Sequence, residues 1–269
     1  TNEPGAELFI ESGPTVSTTV SVQGDVTNGG TLRLDDLSSS GAFGATLSVL
    51  GVTTLTNSGL LEFANSGGFG SGGRVVSAQT LVNTGNIDAQ VDANIVTSSF
   101  DTSGGGRLDT VAGATLVVDS SLTILGTTSV LAGEGTIDFV GNQNISLAGS
   151  FTLGDPLVNV DFNGDVTFTA TGTQTLTVGA GVDQEFREEI INTGLDVLGT
   201  VRIQTQTSPT GTSTINGPLD VPGGGVLVVE GGLGESFGNA VLAVASGFDN
   251  ARHPCASTTP ATPARTALR

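Results

Sequence analysis

Apolar and polar residues alternate in short segments along the chain, and several of these segments follow a turn of the form Asn-x-Gly. Beyond the glycine, the second and fourth residues are apolar and the residue between them is polar, as in Leu32-Arg33-Leu34. This alternation places the apolar side chains on one face of a strand and the polar side chain on the other. The clearest copies occupy residues 28–34, 57–63 and 83–89. Each copy therefore predicts a turn followed by a half-buried strand.

The spacing of these copies indicates a stack of similar units. The asparagines that open the first three copies are 29 and 26 residues apart. A fourth copy at 133–139 has Gly133 in place of asparagine and lies 50 residues further on, close to two more periods of 25. A looser fifth copy occupies 192–198. Periods of 20–30 residues are typical of stacked supersecondary units.

A second repeat supports the same interpretation, because the sequence GATLSV at 44–49 returns as GATLVV at 113–118. One strand cannot bury its apolar row alone, but stacked coils about 4.8 Å apart bury it continuously. We therefore predict an all-β fold, a parallel β-helix of about ten coils over residues 1–248, with a Pro- and Arg-containing tail or linker at 249–269. A β-sandwich of short strands is the alternative.

The corners of the predicted coils fall at the Asn-x-Gly turns. Asparagine and glycine tolerate left-handed backbone conformations, which suits a change of chain direction. The pattern breaks at 182–191, where Phe186 and Ile190 are spaced for one or two turns of helix. The predicted corner residues are Asn28, Gly30, Asn57, Gly59, Asn83, Gly85 and Gly135.

The charge is strongly negative and unevenly distributed, with a formal net charge of −18. All 26 acidic residues precede residue 250, whereas the charged residues among the last twenty are the three arginines Arg252, Arg265 and Arg269. So acidic a body repels phosphates, which argues against nucleic acid and anionic lipid as partners. The sequence contains no apolar stretch of about 20 residues, the length that a membrane-spanning helix needs, so it predicts no membrane span. The start Thr-Asn-Glu-Pro fits a mature chain after cleavage, which is consistent with secretion to the extracellular space or cell surface but does not show it.

Candidate catalytic groups are few, because the chain has no lysine and its one histidine, His253, lies in the tail. Polysaccharide lyases and hydrolases are often built on β-helices, and a lyase needs a base. Arg74, Arg107, and Arg187 among Glu185, Glu188 and Glu189 are the candidates for such chemistry. They form no recurring constellation, so the sequence predicts no enzyme and no cofactor.

Two other segments suggest ligands. Asp161, Asn163 and Asp165 alternate like the ligands of a Ca²⁺ loop, but Gly172 stands where an EF-hand needs glutamate, so only weak Ca²⁺ binding is expected. Six threonines alternate over 167–177, and on one flat strand face they would resemble an ice-binding array. The unpaired Cys255 in the tail is either without a role or the site of an intermolecular disulfide.

The segments GATLSV, TLTNSGLLEF, TLVNTGNIDA and VLAGEGTIDF resemble the repeats of bacterial β-solenoid surface proteins, such as autotransporter passengers and filamentous-haemagglutinin-like adhesins. The resemblance implies export and a structural or adhesive role on a glycan, host or cell surface. Since a solenoid exposes strand edges at both ends, a homo-oligomer or filament joined through the ends is expected, in which Arg252, Arg265 and Arg269 of one copy lie against the acidic face of the next. The function is then that of a self-assembling fibre subunit or adhesin stalk; a polysaccharide lyase or glycoside hydrolase, or an ice-binding protein, is the alternative.

Overall fold

The computed structural model describes residues 1–37, 43–67, 73–205, 210–230 and 239–249 of the protein. Within these residues the regular structure consists of strands, and there is no helix. In chain order the strands are β1 (Glu7–Ser12), β2 (Thr18–Gln23), β3 (Val26–Asn28), β4 (Thr31–Asp36), β5 (Ala45–Leu50), β6 (Thr54–Asn57), β7 (Leu60–Ala64), β8 (Arg74–Asn83), β9 (Asn86–Ala89), β10 (Ala93–Asp101), β11 (Arg107–Thr110), β12 (Thr115–Leu125), β13 (Val130–Gly133), β14 (Thr136–Val140), β15 (Asn144–Leu147), β16 (Phe151–Leu153), β17 (Asn159–Asn163), β18 (Thr167–Ala170), β19 (Thr175–Val178), β20 (Asp183–Arg187), β21 (Ile190–Ile191), β22 (Gly194–Val197), β23 (Thr200–Gln204), β24 (Thr210–Ile215), β25 (Leu219–Asp220), β26 (Val226–Val229), β27 (Asn239–Val244) and β28 (Phe248–Asp249).

All pairings between these strands are parallel, and they arrange the chain as a three-sided β-solenoid. Face 1 holds β1, β4, β7, β9, β11, β13, β16, β19, β22, β25 and β28. Face 2 holds β2, β5, the first halves of β8, β10 and β12, then β14, β17, β20, β23 and β26. Face 3 holds β3, β6, the second halves of β8, β10 and β12, then β15, β18, β21, β24 and β27.

The chain visits the three faces in turn, so the strands fall into ten successive coils, from β1–β3 to β25–β27, and β28 begins another. The step from coil to coil varies from 17 residues, between Asp183 and Thr200, to 29 residues, between Thr31 and Leu60. The predicted parallel β-helix of about ten coils is confirmed. Asp249, placed in the tail by the sequence, lies in β28 and pairs with Asp220.

The core is a set of apolar columns that run along the inside of the solenoid. On face 1 one column is formed by residues that pair directly across successive coils: Leu32, Leu61, Ile87, Leu108 and Leu131. Each of these side chains is at most 5 % exposed. The polar residues between the apolar positions, such as Arg33 and Glu62, lie on the outer side and are only partly buried. The predicted inward and outward alternation is therefore correct.

Two of the repeats do not stack as their sequences suggest. The strand of the fourth Asn-x-Gly copy, β14, lies on face 2, where Ile137 pairs with Leu116, whereas the first three copies lie on face 1. The two GATL segments do lie on one face, but the register runs from Leu47 through Val76 and Ile95 to Val118, which offsets them by two residues. A two-residue offset keeps the apolar side chains inside, because side chains alternate with period two.

Two local predictions are wrong. The segment 182–191 contains strands β20 and β21 in place of a helix, because Gln184 and Phe186 alternate with outward residues and are buried in the core. The threonine segment bends at 171–174, so Thr167 and Thr169 lie on face 3 while Thr175 and Thr177 lie on face 1. The predicted single threonine face does not form.

Candidate functional site

The Asn-x-Gly turns form the corner between face 3 and face 1, where their asparagines stack in a ladder inside the solenoid. The amide nitrogen of Asn2 donates to Asn28 Oδ1 at 2.8 Å, that of Asn28 to Asn57 Oδ1 at 2.7 Å, and that of Asn57 to Asn83 Oδ1 at 2.7 Å. Asn28, Asn57 and Asn83 are at most 1 % exposed. Each of their amide groups also donates to a carbonyl of the next coil, such as Leu60 O at 2.9 Å. The ladder thus fixes the register of the first coils.

The reason for these residues at the corner differs from the predicted one. None of the three asparagines has a positive φ, and neither Gly59 nor Gly85 is left-handed. A Cβ on Gly59 would overlap the carbonyl oxygen of Gly30, and a Cβ on Gly85 that of Gly59. Glycine is therefore required by the close approach of successive coils, and asparagine by the ladder. Gly135 has the same role at the corner between faces 1 and 2, where a Cβ would overlap two carbonyl oxygens.

The ladder ends after Asn83. In the next coils the corner is held by hydroxyl groups, since Thr102 Oγ1 donates to Ser129 Oγ at 2.8 Å and both side chains are buried. Beyond this point asparagines recur at this corner only on the surface of the described chain, where Asn216 Nδ2 donates to Asn192 Oδ1 at 2.6 Å.

A second distinctive region lies in the middle of the solenoid, where two of the three ladders are interrupted. On face 1 the six-stranded sheet ends at β13, and a new sheet begins at β16. On face 2 the ladder ends at β17, and a new sheet begins at β20. Face 3 continues unbroken from β15 through β18 to β21. We call this double interruption the seam.

The opening of the seam on face 1 is a groove of about 450 Å³. Its walls come from β13 and from the start of coil seven, with Arg107 and Ser129 at its margins. A smaller pocket of about 190 Å³ lies beside it and is lined by both apolar and polar residues: Leu131, Leu153, Gly154, Asp155, Pro156, Leu157, Val158, Asn159, Val160, Gly181, Val182, Asp183 and Gln184. The Gly154–Pro156 segment borders both, so groove and pocket adjoin.

One carboxylate bridges the seam on face 1. Asp155 Oδ2 accepts the backbone N–H of Gly133 at 3.3 Å, and its Oδ1 accepts the N–H of Leu157 at 2.9 Å. The side chain of Asp155 thus takes the place of one ladder hydrogen bond. On face 2 the buried Gln184 does the same, since its Nε2 donates to Val160 O at 3.0 Å.

Inside the seam, aromatic packing joins the two parts of the solenoid. The rings of Phe139, Phe162 and Phe186 stack with centroids 5.6 and 5.8 Å apart. Phe168 packs edge-on against Phe162 at 5.0 Å and against Phe186 at 6.0 Å. Such pairs add to the stabilisation that burial of the rings provides. The cluster therefore offsets part of the missing ladder on face 2.

The corner that follows β20 contains two unusual glutamates. Glu188 has a φ of 74°, which no other non-glycine residue in the described part of the chain shares, and this conformation is strained for a residue with a side chain. Its N–H donates to Ser213 Oγ at 3.0 Å. Glu189 is fully buried, and neither of its carboxyl oxygens has a hydrogen-bond partner of good geometry. Burial raises the pKa of Glu189 to about 8, against the opposing effects of nearby backbone amides and of Arg187.

The candidates for lyase chemistry do not come together. Arg74 is buried at the start of β8, with Nη2 3.9 Å from Asp36 Oδ2, and desolvation lowers its pKa. Arg107 lies on face 1 and pairs with Asp109 at 2.7 Å. Arg187 bonds to Glu185 on face 2. The three arginines are therefore on different coils and serve three separate ion pairs.

The predicted Ca²⁺ ligands lie on and beside β17. Asp161 and Asn163 project outward from the strand, and Asn163 Nδ2 donates to Asp138 Oδ1 at 2.7 Å, while Asp165 is in the following turn. Burial and the neighbouring Asp161 raise the pKa of Asp138, although the bond from Asn163 opposes this. Across the described residues, no group of three or more His, Cys, Asp or Glu side chains is placed to hold a metal ion.

The predicted assembly residues Arg252, Arg265 and Arg269, together with Cys255, lie outside the described residues. The described part of the chain includes no helix with the length and hydropathy to cross a membrane. Comparison of the chain with family models, with curated proteins and with solved structures gives no match.

The sequence predicts that Asn28, Asn57 and Asn83 lie at corners of the coils, but it explains them by turn conformation. It does not predict the hydrogen bonds that join their side chains in a ladder. The seam was not predicted. Its available signal was the group of phenylalanines within 139–186, four of which pack together in the structure.

Proposed function

We propose that this protein is a non-catalytic, extracellular structural or adhesive β-solenoid that associates with further copies of itself through its end coils. The observation that carries the proposal is that apolar side chains are exposed at both ends, at strand positions whose paired residues in the neighbouring coil belong to the core. Leu8 and Val20 in the first coil are 47 % and 37 % exposed, although their partners Leu32 and Leu47 in the second coil are buried.

The last strands show the same property. Val229 and Phe248 are 46 % and 49 % exposed, whereas Ile203 and Leu219, with which they pair, are buried. Exposed strand edges with apolar side chains favour pairing with another chain. Heterologous contacts of this kind extend into filaments when the rotation does not close.

A role in adhesion or extracellular architecture is supported by the resemblance to bacterial β-solenoid surface proteins, and so is localisation outside the cell. The tail would add an electrostatic contribution, since Arg252, Arg265 and Arg269 can approach the acidic surface of the next copy. The charged contribution should weaken between 0.1 M and 1 M salt, where the Debye length falls from about 10 Å to about 3 Å.

Light scattering over a concentration series, with negative-stain microscopy of the same samples, tests the proposal. We expect the wild-type protein to form oligomers whose mass and length increase with protein concentration. The Val20→Lys variant should be monomeric, because a charge replaces an apolar side chain at the exposed end. Ser21→Lys is the matched control, because Ser21 is exposed on the same strand but points outward. A wild-type monomer at every concentration would refute self-association. Deletion of 250–269 that leaves the mass unchanged at both salt concentrations would remove the tail from the mechanism.

A further inference from the structure

The corner between β20 and β21 brings two acidic side chains to the junction of coils eight and nine. Consecutive side chains of a strand point to opposite sides, so Glu188 and Glu189 would diverge in a regular strand. The left-handed backbone of Glu188, with a φ of 74°, interrupts this alternation. Glu189 is fully buried, and the carboxyl group of Glu188 reaches Gly211, a buried residue of β24 in coil nine. The corner therefore departs from strand geometry where one acidic side chain is buried and its neighbour contacts the next coil.

Gly211 leaves room for the carboxyl group of Glu188. Thr205 Oγ1 donates to Glu188 Oε1 at 3.0 Å, and a Cβ at residue 211 would overlap both of these oxygen atoms. Thr205 is itself buried, so its hydroxyl group belongs to the interior. The space beside β24 that a larger side chain at residue 211 would fill therefore holds a carboxyl group and a hydroxyl group.

Ser213 adds a second hydroxyl group at the next inward position of β24. Its side chain is buried, and its Oγ accepts the N–H of Glu188 at 3.0 Å. Ile190 pairs with Thr214, so the preceding residues Glu189 and Ser213 also lie opposite each other, and both of their side chains are buried. Inward positions of one strand repeat every two residues, about 6.6 Å apart. The two carboxyl groups thus approach neighbouring inward positions of β24 and form, with the hydroxyl groups, a polar set that we call the corner cluster: Glu188, Glu189, Thr205 and Ser213.

The acidic side chain at the centre of the corner cluster lacks a partner. Neither carboxyl oxygen of Glu189 has a hydrogen-bond partner of good geometry, and no arginine of the described residues forms an ion pair with it. Arg187, the nearest arginine in the sequence, bonds to Glu185 on the outer side of β20. Buried carboxylates are normally paired or bound to a metal ion, and an ion is one explanation for an unsatisfied buried group. The strained backbone of Glu188 lies at the same corner, and such strain clusters at binding sites.

From these observations we propose that the corner cluster binds one Ca²⁺ ion between coils eight and nine. The carboxylates of Glu188 and Glu189 balance the charge of the ion, and the hydroxyl groups of Thr205 and Ser213 are further oxygen ligands. Ca²⁺ takes about six to eight oxygen ligands in a flexible geometry, so two carboxylates at neighbouring inward positions can share it. The cluster has two acidic side chains and two neutral hydroxyl groups, and in this it differs from a site of three or more acidic groups. It is not part of the end coils and does not depend on the proposed self-association.

Isothermal titration calorimetry of the chelator-treated full chain with Ca²⁺ tests the site. The buffer is kept at about pH 8, because carboxylates bind metal ions in their deprotonated form. We expect saturable binding of one ion with a dissociation constant of about 0.1 to 1 mM, the range of extracellular Ca²⁺ modules. Mg²⁺ is the reference ion, since it demands octahedral geometry and retains its waters, and it should bind at least about tenfold more weakly.

Glu189→Gln is the decisive variant, because it removes the buried charge and keeps the shape of the side chain. A neutral amide is easier to bury than a carboxylate, so the variant should fold, and circular dichroism verifies this. We expect its affinity for Ca²⁺ to fall at least about tenfold. Asp165→Asn is the matched control, since Asp165 is exposed in a turn and belongs to the Ca²⁺ ligands predicted from the sequence. The affinity of this control should equal that of wild type.

Three calorimetric results would overturn the proposal. One is the absence of saturable binding to the wild-type chain up to about 10 mM Ca²⁺, tenfold above the weakest affinity expected. Another is equal affinity of Glu189→Gln and wild type, which would place the ion elsewhere, at the predicted loop if Asp165→Asn binds it more weakly. The third is equal binding of Mg²⁺ and Ca²⁺, which would show a general attraction of cations to the acidic surface.

Hydrogen exchange of the wild-type chain locates the ion without a variant. The N–H of Glu188 bonds to Ser213 Oγ, and the N–H of Thr214 bonds to Glu189 O, so both amides join coils eight and nine at this corner. Both should exchange more slowly when Ca²⁺ is present. Unchanged exchange at the two amides would also refute the site, whatever the oligomeric state of the protein.

Discussion

The first six coils and the seam that follows them stabilise the same architecture in different ways. From β1 to β13 the ladder on face 1 is continuous, and the asparagine ladder adds side-chain hydrogen bonds at one corner. Through the seam, only face 3 keeps an unbroken ladder, since face 1 is interrupted between coils six and seven and face 2 between coils seven and eight, and a stack of phenylalanines fills the interior. Hydrogen bonds specify a register, whereas apolar packing tolerates more than one arrangement. The solenoid therefore combines a strictly registered part with an adaptable one.

The glutamates of coil eight extend this contrast. In the asparagine ladder, buried polar groups such as Asn57 have partners on both sides. At the corner after β20, the buried carboxyl group of Glu189 has no hydrogen-bond partner of good geometry, and Glu188 adopts a strained conformation. Unsatisfied polar groups and backbone strain both cost free energy. Local opening should therefore begin near the seam and not in the asparagine block.

The largest effect is expected from a charge placed in the apolar column of face 1. Leu61→Asp should prevent folding, because Leu61 is fully buried between continuous ladders and the carboxylate would have neither water nor a partner. Leu131→Asp lies in the same column but beside the groove, so the chain should fold with reduced stability. Circular dichroism of the soluble protein distinguishes the two outcomes.

Glu62→Gln is the control for this pair, since Glu62 projects outward from the strand that holds Leu61 and the change should alter stability by no more than about 0.5 kcal/mol. Equal damage by Leu61→Asp and Leu131→Asp would show that the seam is as closed as the rest of the wall.

An intermediate effect that depends on pH is expected from Glu189→Gln. The unfolded chain loses the proton of Glu189 near the ordinary pKa of 4.5, whereas burial keeps the folded chain protonated up to a pKa of about 8. The contribution of Glu189 to folding stability is therefore most favourable below pH 4.5 and falls by about 1.4 kcal/mol per pH unit as the pH rises through this window. Glutamine removes the titration, so the variant should exceed wild type by several kcal/mol at pH 8 and match it near pH 4.5.

Denaturant unfolding at the two pH values measures this difference, and the other acidic groups contribute equally to both proteins. A difference between variant and wild type that is the same at pH 4.5 and pH 8 would mean that Glu189 is already ionised in the folded chain.

A smaller effect is expected from the asparagine ladder. Asn57→Ala removes the bonds with Asn28 and Asn83 in the buried interior and should cost roughly 2 to 4 kcal/mol in the free energy of unfolding. Asn192→Ala removes a similar bond to Asn216 at an exposed position and should cost no more than about 0.5 kcal/mol. Denaturant unfolding compares the pair, and similar costs would show that burial adds nothing to the ladder.

Much of the fold could be predicted because the strands of the early coils obey a local rule. Residues such as Leu32, Arg33 and Leu34 alternate strictly between inward and outward positions. Parallel stacking requires only that inward residues pair with inward residues of the next coil. The same rule allowed the errors. It does not distinguish one face from another, so the sequence pattern groups the fourth copy with the first three although β14 lies on face 2.

The site was less predictable because it depends on contacts between distant residues. The pairing of Gly133 with Asp155, or of Gln184 with Val160, joins successive coils across the seam and leaves no local periodicity. At 182–191 the spacing of Phe186 and Ile190 fitted a helix, but the core of the neighbouring coils requires Phe186 at an inward strand position. Tertiary packing overrides a short local signal of this kind.

The unbroken ladder of face 3 has a mechanical consequence. Face 3 is hydrogen-bonded without a break from β15 through β18 to β21, whereas face 1 is open between coils six and seven and face 2 is open between coils seven and eight. A bending force that stretches face 1 should therefore meet least resistance at the first of these junctions, and one that stretches face 2 at the second, while one that stretches face 3 meets paired strands at both. The solenoid is expected to bend with face 3 on the inside of the bend, in two steps, one at each of two neighbouring levels.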